Sequence, residues 1–277
     1  MRRGPEPHEH RTYRGEGPNP FAASPLRRHA WAYEQVRDVD GPHLDVGCNR
    51  GAFAGLLSET TGRVCVGVDV DRDDLLVLRR AWPPVAAVMA DASAGLPFAP
   101  DSFGSVSLLD VAEHVADDVA LLQEARRVVR PGGVVVVTLP AQHVFSWLDP
   151  DDLVFRFPRL HRFVWSLRYG RDAYARRFDR SGSLCGDIAS SRGGHTNYEP
   201  SEIATRLGRA GLLVEHMEGN GYWFRWLQIP ALSLPRRLAE LADRAVVRDG
   251  KRFTGRPRVG ITRRANLFVV ARRPTRA

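Results

Sequence analysis

The sequence predicts an α/β protein built on a largely parallel sheet with both faces covered, and three observations predict it. An apolar run, Leu44-Asp45-Val46, breaks at a turn with glycines four apart, Gly47 and Gly51, and resumes as a helix from Phe53. Two further apolar runs, residues 63–69 and 85–91, each end on a carboxylate, Asp69 and Asp91. An unbroken β-branched run, Val134-Val135-Val136-Val137-Thr138, suits a strand with no solvent-facing side.

Residues 1–25 are rich in Pro, Gly, Arg and His without periodicity and read as a mobile leader. Residues 26–38 carry apolar positions at helical spacing and predict a helix ahead of the first strand. The strand–turn–helix start at residues 44–57 places unpaired backbone N–H groups and the positive end of a helix dipole around a pocket. Glycine there lets the backbone approach a ligand that a Cβ would hold away. A phosphate-cradling P-loop needs a Gly-Lys-Ser/Thr ending, which is absent. A dinucleotide fingerprint needs G-x-G-x-x-G, whereas the spacing here is G-x-x-x-G with Asn49 inside it. Asp45, two residues before Gly47, would repel a pyrophosphate and suits a cationic ligand better. Asp69 lies 22 residues beyond Gly47 (69 less 47), about the interval at which a βαβ unit brings an acidic side chain to a ribose hydroxyl pair. Asp71 then reads as an N-cap, with Asp73 and Asp74 in the first turn of the next helix.

A third strand over 85–92 opens into Leu96-Pro97-Phe98, and a fourth over 105–110 runs into Ala112-Glu113-His114. A helix ends at Pro131-Gly132-Gly133, before the fifth strand over 134–140. Residues 141–196 then form a long insertion in which aromatic and arginine residues interleave, with a helix around 161–169. Stacked aromatics and arginines could grip a sugar, a phosphorylated group or single-stranded nucleic acid, or the segment could be an amphipathic lid. Residues 201–210 predict a helix stopped by Gly211, residues 212–217 a sixth strand and residues 266–271 a seventh. Tyr222, Trp223, Phe224 and Trp226, within 221–234, could form a membrane-interface anchor, a dimer patch or part of a cap.

The loop at 45–51, the strand-tip carboxylates, the Glu113-His114 pair and the Arg130-Pro131-Gly132-Gly133 stop together resemble the class I S-adenosylmethionine-dependent methyltransferases, across roughly residues 42–140. The resemblance implies a Rossmann-like sheet of order 3-2-1-4-5-7-6 with strand seven antiparallel. It implies a methyltransferase domain over 26–277, with 141–196 as a substrate-cap insertion. It implies S-adenosyl-L-methionine as cofactor, held by Asp45, Gly47, Cys48, Asn49 and Gly51 in the loop. Asp69 would take both ribose hydroxyls and Val70 would pack on the adenine. Asp91 would accept the exocyclic amine, the Ala92 N–H would meet a ring nitrogen, and Asp110 would complete the set. Asn49 replaces the family's middle glycine, a mild departure because asparagine tolerates unusual φ. The helix over 26–38 would close over the cofactor, where Tyr33 could touch it or pack in the core. His114, His143 and His195 are the candidate general bases; each could equally be structural, and His114 leads by position. Glu113 better suits orienting a neighbour.

The motifs sit closest to the small-molecule branch that includes ubiquinone-pathway and natural-product O-methyltransferases. The Phe-Ser-Trp-Leu-Asp-Pro-Asp-Asp run weakly resembles inserts in bacterial enzymes of glycan pathways, so a hydroxyl on a small molecule or glycan is the expected acceptor. An RNA methyltransferase and a non-catalytic cofactor-binding protein are the alternatives. The Asn/Asp-Pro-Pro-Tyr/Phe signature of amino-methylating nucleic-acid enzymes is absent after strand four.

Composition bounds these readings. A chain of 277 residues can bury a substantial core. The net charge of +8 would suit nucleic acid or an acidic membrane, yet Lys251 is the only lysine and much of the excess arginine sits near the ends, which argues for solvated charge. Three cysteines without a C-x-x-C pair disfavour a disulfide framework and a zinc site and fit a reducing cytoplasm. No N-terminal apolar run suggests a signal peptide, and no stretch approaches the ~20 apolar residues of a spanning helix. Oligomeric state stays open.

Overall fold

The computed structural model describes residues 27–142, 157–175, 197–220 and 266–275. Seven strands, β1 His43–Val46, β2 Cys65–Asp69, β3 Ala86–Met89, β4 Phe103–Leu109, β5 Val129–Pro140, β6 Leu213–Asn220 and β7 Asn266–Arg272, form one sheet in the order β3-β2-β1-β4-β5-β7-β6. Pairs from β3 to β5 are parallel, and β7 runs antiparallel to both neighbours. This is the predicted order. From β1 the chain winds outward through β2 and β3, then returns to place β4 on the other side. The switch in direction lies between β1 and β4, where open α/β sheets form a crevice at their carboxyl ends.

Helices cover both faces. Leu121, Leu122, Ala125 and Val128 of α4 (Asp118–Val128), with Ile203 and Leu207 of a helix over Pro200–Arg209, pack on Leu44, Val46, Val106, Leu108, Val135 and Val137. Opposite them, α1 (Arg27–Val36), α2 (Ala52–Thr61) and α3 (Arg72–Ala81) bury Ala32, Tyr33, Phe53, Leu57, Leu75 and Leu78 against Cys65, Val134 and Val136. Asp71 caps α3 as expected, its side chain accepting from the Asp73 and Asp74 amides. One boundary differs from expectation. Strand β5 begins at Val129, running through Pro131-Gly132-Gly133, because Val129 pairs with Phe103 before the register shifts and resumes at Ser105↔Val134. Of the insertion, two helices are described, α5 (Pro158–Tyr169) and α6 (Arg171–Tyr174), and the helix over Pro200–Arg209 becomes α7. Among the described residues no helix is long and apolar enough to cross a membrane.

Candidate cofactor site

The site is assembled at the carboxyl ends of β1 to β4. The loop leaving β1 turns by adopting left-handed backbone at Gly47 (φ 69°), Asn49 (φ 51°) and Gly51 (φ 74°). Both glycines are required on two counts. A Cβ on Gly47 would lie 2.4 Å from a Val111 methyl, and one on Gly51 would lie 2.5 Å from Leu78. Asn49 accepts the same left-handed geometry, which is why it can replace a glycine here. The loop is pinned to β2: the Gly47 and Cys48 amides donate to the Val68 carbonyl at 2.8 and 3.0 Å. Helix α2 then starts at Gly51 with no side-chain cap, so its first amides are left for other acceptors.

One of those acceptors is Asp45. It is 2% exposed, and its carboxyl bonds the Ala54 amide of α2 and accepts from Ser107 Oγ at 2.6 Å. Burial pushes this carboxyl up to about 7 and the nearby Asp69 charge adds to the rise, against the lowering effect of the two hydrogen bonds. Asp69, at the tip of β2, accepts from the Asn49 amide at 2.8 Å and the Asp71 amide at 3.0 Å, one on each oxygen. Each oxygen keeps a second lone pair, so the side chain can still take two hydroxyl donors. Next to it Val70 is 55% exposed, an apolar surface open at the strand tip. Asp91 is exposed, with one oxygen holding the Ser93 amide and hydroxyl at 2.8 and 2.6 Å, while Ala92 is buried. Cys48 is 6% exposed and its thiol is pushed well up by burial and the adjacent carboxylates. It is a packing residue: a Cβ on Gly67 would come within 2.7 Å of its sulfur.

On the other side of the switch, Asp110 sits at the tip of β4 in left-handed backbone (φ 56°). Its carboxylate accepts from Thr138 Oγ1 at 2.6 Å and from Arg28 Nη1 at 2.5 Å, which ties the start of α1 to the sheet. His29 beside it is lowered to about 4 by burial and the Arg28 charge, with Asp110 opposing, so it is neutral. Two non-glycine residues held at positive φ, Asn49 and Asp110, therefore flank the crevice, and such strain persists where the surroundings enforce it.

His114 lies in a short 3-10 turn, Ala112–His114, just past β4. It is partly exposed, with Nε2 at 4.0 Å from Oε1 of the buried Glu113. That turn is fastened from below. The Tyr198 hydroxyl shares its one proton between Asp118 (2.8 Å) and, more weakly, the Ala112 carbonyl (3.2 Å), and Arg206 closes the cluster by pairing with Asp118 and lying over the Tyr198 ring. Burial and the Asp118 hydrogen bond hold the phenol well above its ordinary range.

The structure thus brings Asp45, Gly47, Cys48, Asn49, Gly51, Asp69 and Val70 around one crevice end, with Asp91, Ala92, Asp110 and His114 on the neighbouring strand exits. Tyr33 resolves to the core: it is 2% exposed and its hydroxyl donates to Thr60 Oγ1 at 3.0 Å. His143, His195 and residues 221–234 lie outside the described residues. Sequence reasoning passed over three side chains. Arg28 holds Asp110, and His43 and Arg63 belong to a buried chain that ends on Asp45.

The architecture is a Rossmann-like sheet of this order, with a glycine turn and carboxylates at its strand tips. It is the fold of the S-adenosylmethionine-dependent methyltransferases. Residues 44–137 match the family model of a methyltransferase domain. The chain is 34% identical over 136 residues to methyltransferase GfsG of Streptomyces halstedii, covering 44% of this chain and 48% of that protein. It is 37% identical over 117 residues to the demethylmenaquinone methyltransferase of Mycobacterium sp. (strain KMS), covering 41% and 48%. Each alignment thus spans about half the relative's length. Among solved structures it resembles the [4+2]-cyclase SpnF with a TM-score of 0.56 at 16% identity, covering 90% of this chain and 82% of that one. That likeness speaks to the fold alone, and the fold by itself does not decide the reaction.

Proposed function

We propose that this protein transfers a methyl group from S-adenosyl-L-methionine to a hydroxyl on a small molecule or glycan. The observation that carries the reading is the pairing of a left-handed loop at 47–51 with carboxylates at successive strand tips. The residues suit the cofactor. Gly47 and Gly51 hold the left-handed turn tight against Val111 and Leu78, where a Cβ would clash. Asp69 retains lone pairs for two ribose hydroxyls, Val70 offers an apolar face to the adenine, and Asp91 keeps an oxygen for its amine. Asp45 and Asp69 together supply negative charge that a positively charged ligand would offset.

Bound there, the cofactor would supply an already activated methyl group for in-line displacement. The protein's part is alignment, and holding reactants at near-attack distance can supply roughly 7–11 kcal/mol in the best intramolecular cases. His114, on the turn held by Tyr198, would take the acceptor's proton, a contribution of about 10²–10⁴-fold for a hydroxyl acceptor. His143 and His195 are the alternative bases. The insertion over 141–196, including α5 and α6, would form the acceptor cap of a domain over 26–277.

Calorimetry with S-adenosylmethionine tests the cofactor assignment. Asp69→Ala should weaken binding by about 100-fold or more, since two hydrogen bonds to a charged group are lost, at about 1.5–3 kcal/mol each. Binding equal to wild type would refute the ribose assignment. With labelled methyl donor and cell extract, His114→Ala should cut transfer by about 10²–10⁴-fold while cofactor affinity stays within about twofold. An unchanged rate would move the base role to His143 or His195. Label that disappears with ribonuclease would instead identify an RNA acceptor.

A further inference from the structure

The interior of the sheet contains a polar row with no counterpart on its other face among the described residues. His43 and Asp45 are two apart on β1, Ser105 and Ser107 two apart on β4, and the register pairs His43↔Ser105 and Asp45↔Ser107. All four side chains therefore share one face, beneath α1 and α2, and His43, Ser105 and Ser107 have no solvent exposure. They are joined end to end. Arg63 Nη2 bonds Ser105 Oγ at 3.0 Å, Ser105 Oγ bonds His43 Nδ1 at 2.8 Å, His43 Nε2 bonds Ser107 Oγ at 3.0 Å, and Ser107 Oγ reaches Asp45 Oδ1 at 2.6 Å.

Proton counting gives this chain one direction. A guanidinium can only donate, and an ionised carboxyl can only accept. With Asp45 ionised, the single Ser107 proton points at Asp45, so Ser107 Oγ must accept from His43 Nε2–H. Burial, together with the Arg63 charge, lowers His43 well below its ordinary range and keeps the ring neutral, so Nδ1 carries no proton and accepts from Ser105. Ser105 Oγ in turn accepts from Arg63. Every donor points from the cation toward Asp45. Reversing the chain would turn the Ser105 proton toward a guanidinium that has no lone pair to receive it.

We infer that His43, Ser107, Ser105 and Arg63 are positioning residues that act through Asp45, orienting its carboxylate and favouring its ionised form so that the crevice receives a cationic ligand. The inference rests on the proposed cofactor reading for its purpose but not for its existence. The other ionisable groups around Asp45 are Asp69 and the Cys65 thiol on β2, the Cys48 thiol in the loop, and Arg28 and His29 on α1. Asp69 opposes ionisation, both thiols are uncharged, Arg28 pairs with Asp110 and His29 is neutral. Arg63 also donates to the Gly41 and Val36 carbonyls, which fixes its guanidinium at the start of the chain.

Two readouts on the full chain test this. The first needs no ligand. Difference infrared spectra across pH 5–10 follow the protonated carboxyl band, with Asp45→Asn identifying the contribution of Asp45. Wild type should titrate near neutrality. Ser107→Ala, which removes one oxygen, and His43→Phe, which keeps a ring in the space, should both move that titration upward by about one pH unit or more, as expected for loss of a hydrogen bond to the charged form. The second readout is S-adenosylmethionine affinity across the same range. Both variants should bind about fivefold or more weakly at pH 7 and converge on wild type at alkaline pH, where Asp45 is ionised in all of them. A titration left unmoved in both variants overturns the inference, as does a loss of affinity equal at every pH, which a merely structural role would give. If the infrared titration moves but wild type shows no heat with the cofactor, the chain stands and the cofactor reading falls. Melting curves check folding, and Ser105→Ala serves in place of a variant that fails to fold.

Discussion

Strands β1 and β4 present two faces made from alternate residues of the same segments, and the faces are built for different ends. Toward α4 and α7 they offer Leu44, Val46, Val106 and Leu108, each at most 1% exposed, in a wholly apolar layer. Toward α1 and α2 they offer His43, Asp45, Ser105 and Ser107, equally buried and all polar. The first face stabilises the sheet by removing apolar surface from water. The second does so poorly, because a buried polar group at best recovers in hydrogen bonds what it loses in hydration. Its members are satisfied by one another, and the row leads to the carboxyl under the crevice. The apolar face makes the fold, and the polar face spends some of that stability to place a charge.

The comparison breaks most visibly at Leu108. Leu108→Ala on the apolar face should cost about 2–5 kcal/mol of stability through lost burial and the cavity left behind. The loss should be the same at pH 5 and pH 8, with affinity for S-adenosylmethionine nearly unchanged, as denaturant melts and calorimetry at the two pH values would show. A loss that depended on pH would mean that the two faces are coupled through the strand and not separate in role.

Much of this division can be read in the sequence once its period is noticed. His43-Leu44-Asp45-Val46 and Ser105-Val106-Ser107-Leu108 both alternate polar and apolar, the period of a strand with two unlike faces. In a half-exposed strand that pattern marks the wet side. Here both strands are central and covered, so the polar side had to be an internal network, a deduction that needs the strand order. The landmarks at 45–51, 69, 91 and 110 were legible because turns and strand-tip carboxylates are local signals. The sheet order 3-2-1-4-5-7-6 came through the family resemblance, and the observed pairing bears it out. Arg63 and Arg28 were not legible: each acts on a residue distant in sequence, Ser105 and Asp110, and nothing local distinguishes them from the other arginines. The same holds for Tyr198, whose hydrogen bond to the Ala112 carbonyl spans 86 positions.

A smaller effect, opposite in sign, is expected at Asp45. Its carboxyl is raised from 3.8 to about 7 in the folded chain, so between those values the native state holds a proton that the unfolded chain has released. Stability on this account falls as pH rises through that window and is flat above it. The full penalty above pH 7 is at most about 4 kcal/mol, at about 1.36 kcal/mol for each pH unit between the two values. Asp45→Asn keeps the shape and one acceptor oxygen but cannot ionise, and it gives up one of the two hydrogen bonds the carboxyl accepts from Ser107 and the Ala54 amide. The variant should therefore be more stable than wild type at pH 8, by about 1–3 kcal/mol after relaxation around the site, and nearly level with it at pH 4. Its affinity for S-adenosylmethionine should fall at pH 8 and draw level with wild type near pH 5, where Asp45 itself is protonated. A variant less stable than wild type at pH 8, with the same slope below it, would mean that Asp45 stabilises the fold and is not a charge held in reserve for a ligand. Gain of stability together with loss of binding would mark the polar face as the part of the sheet shaped by the site.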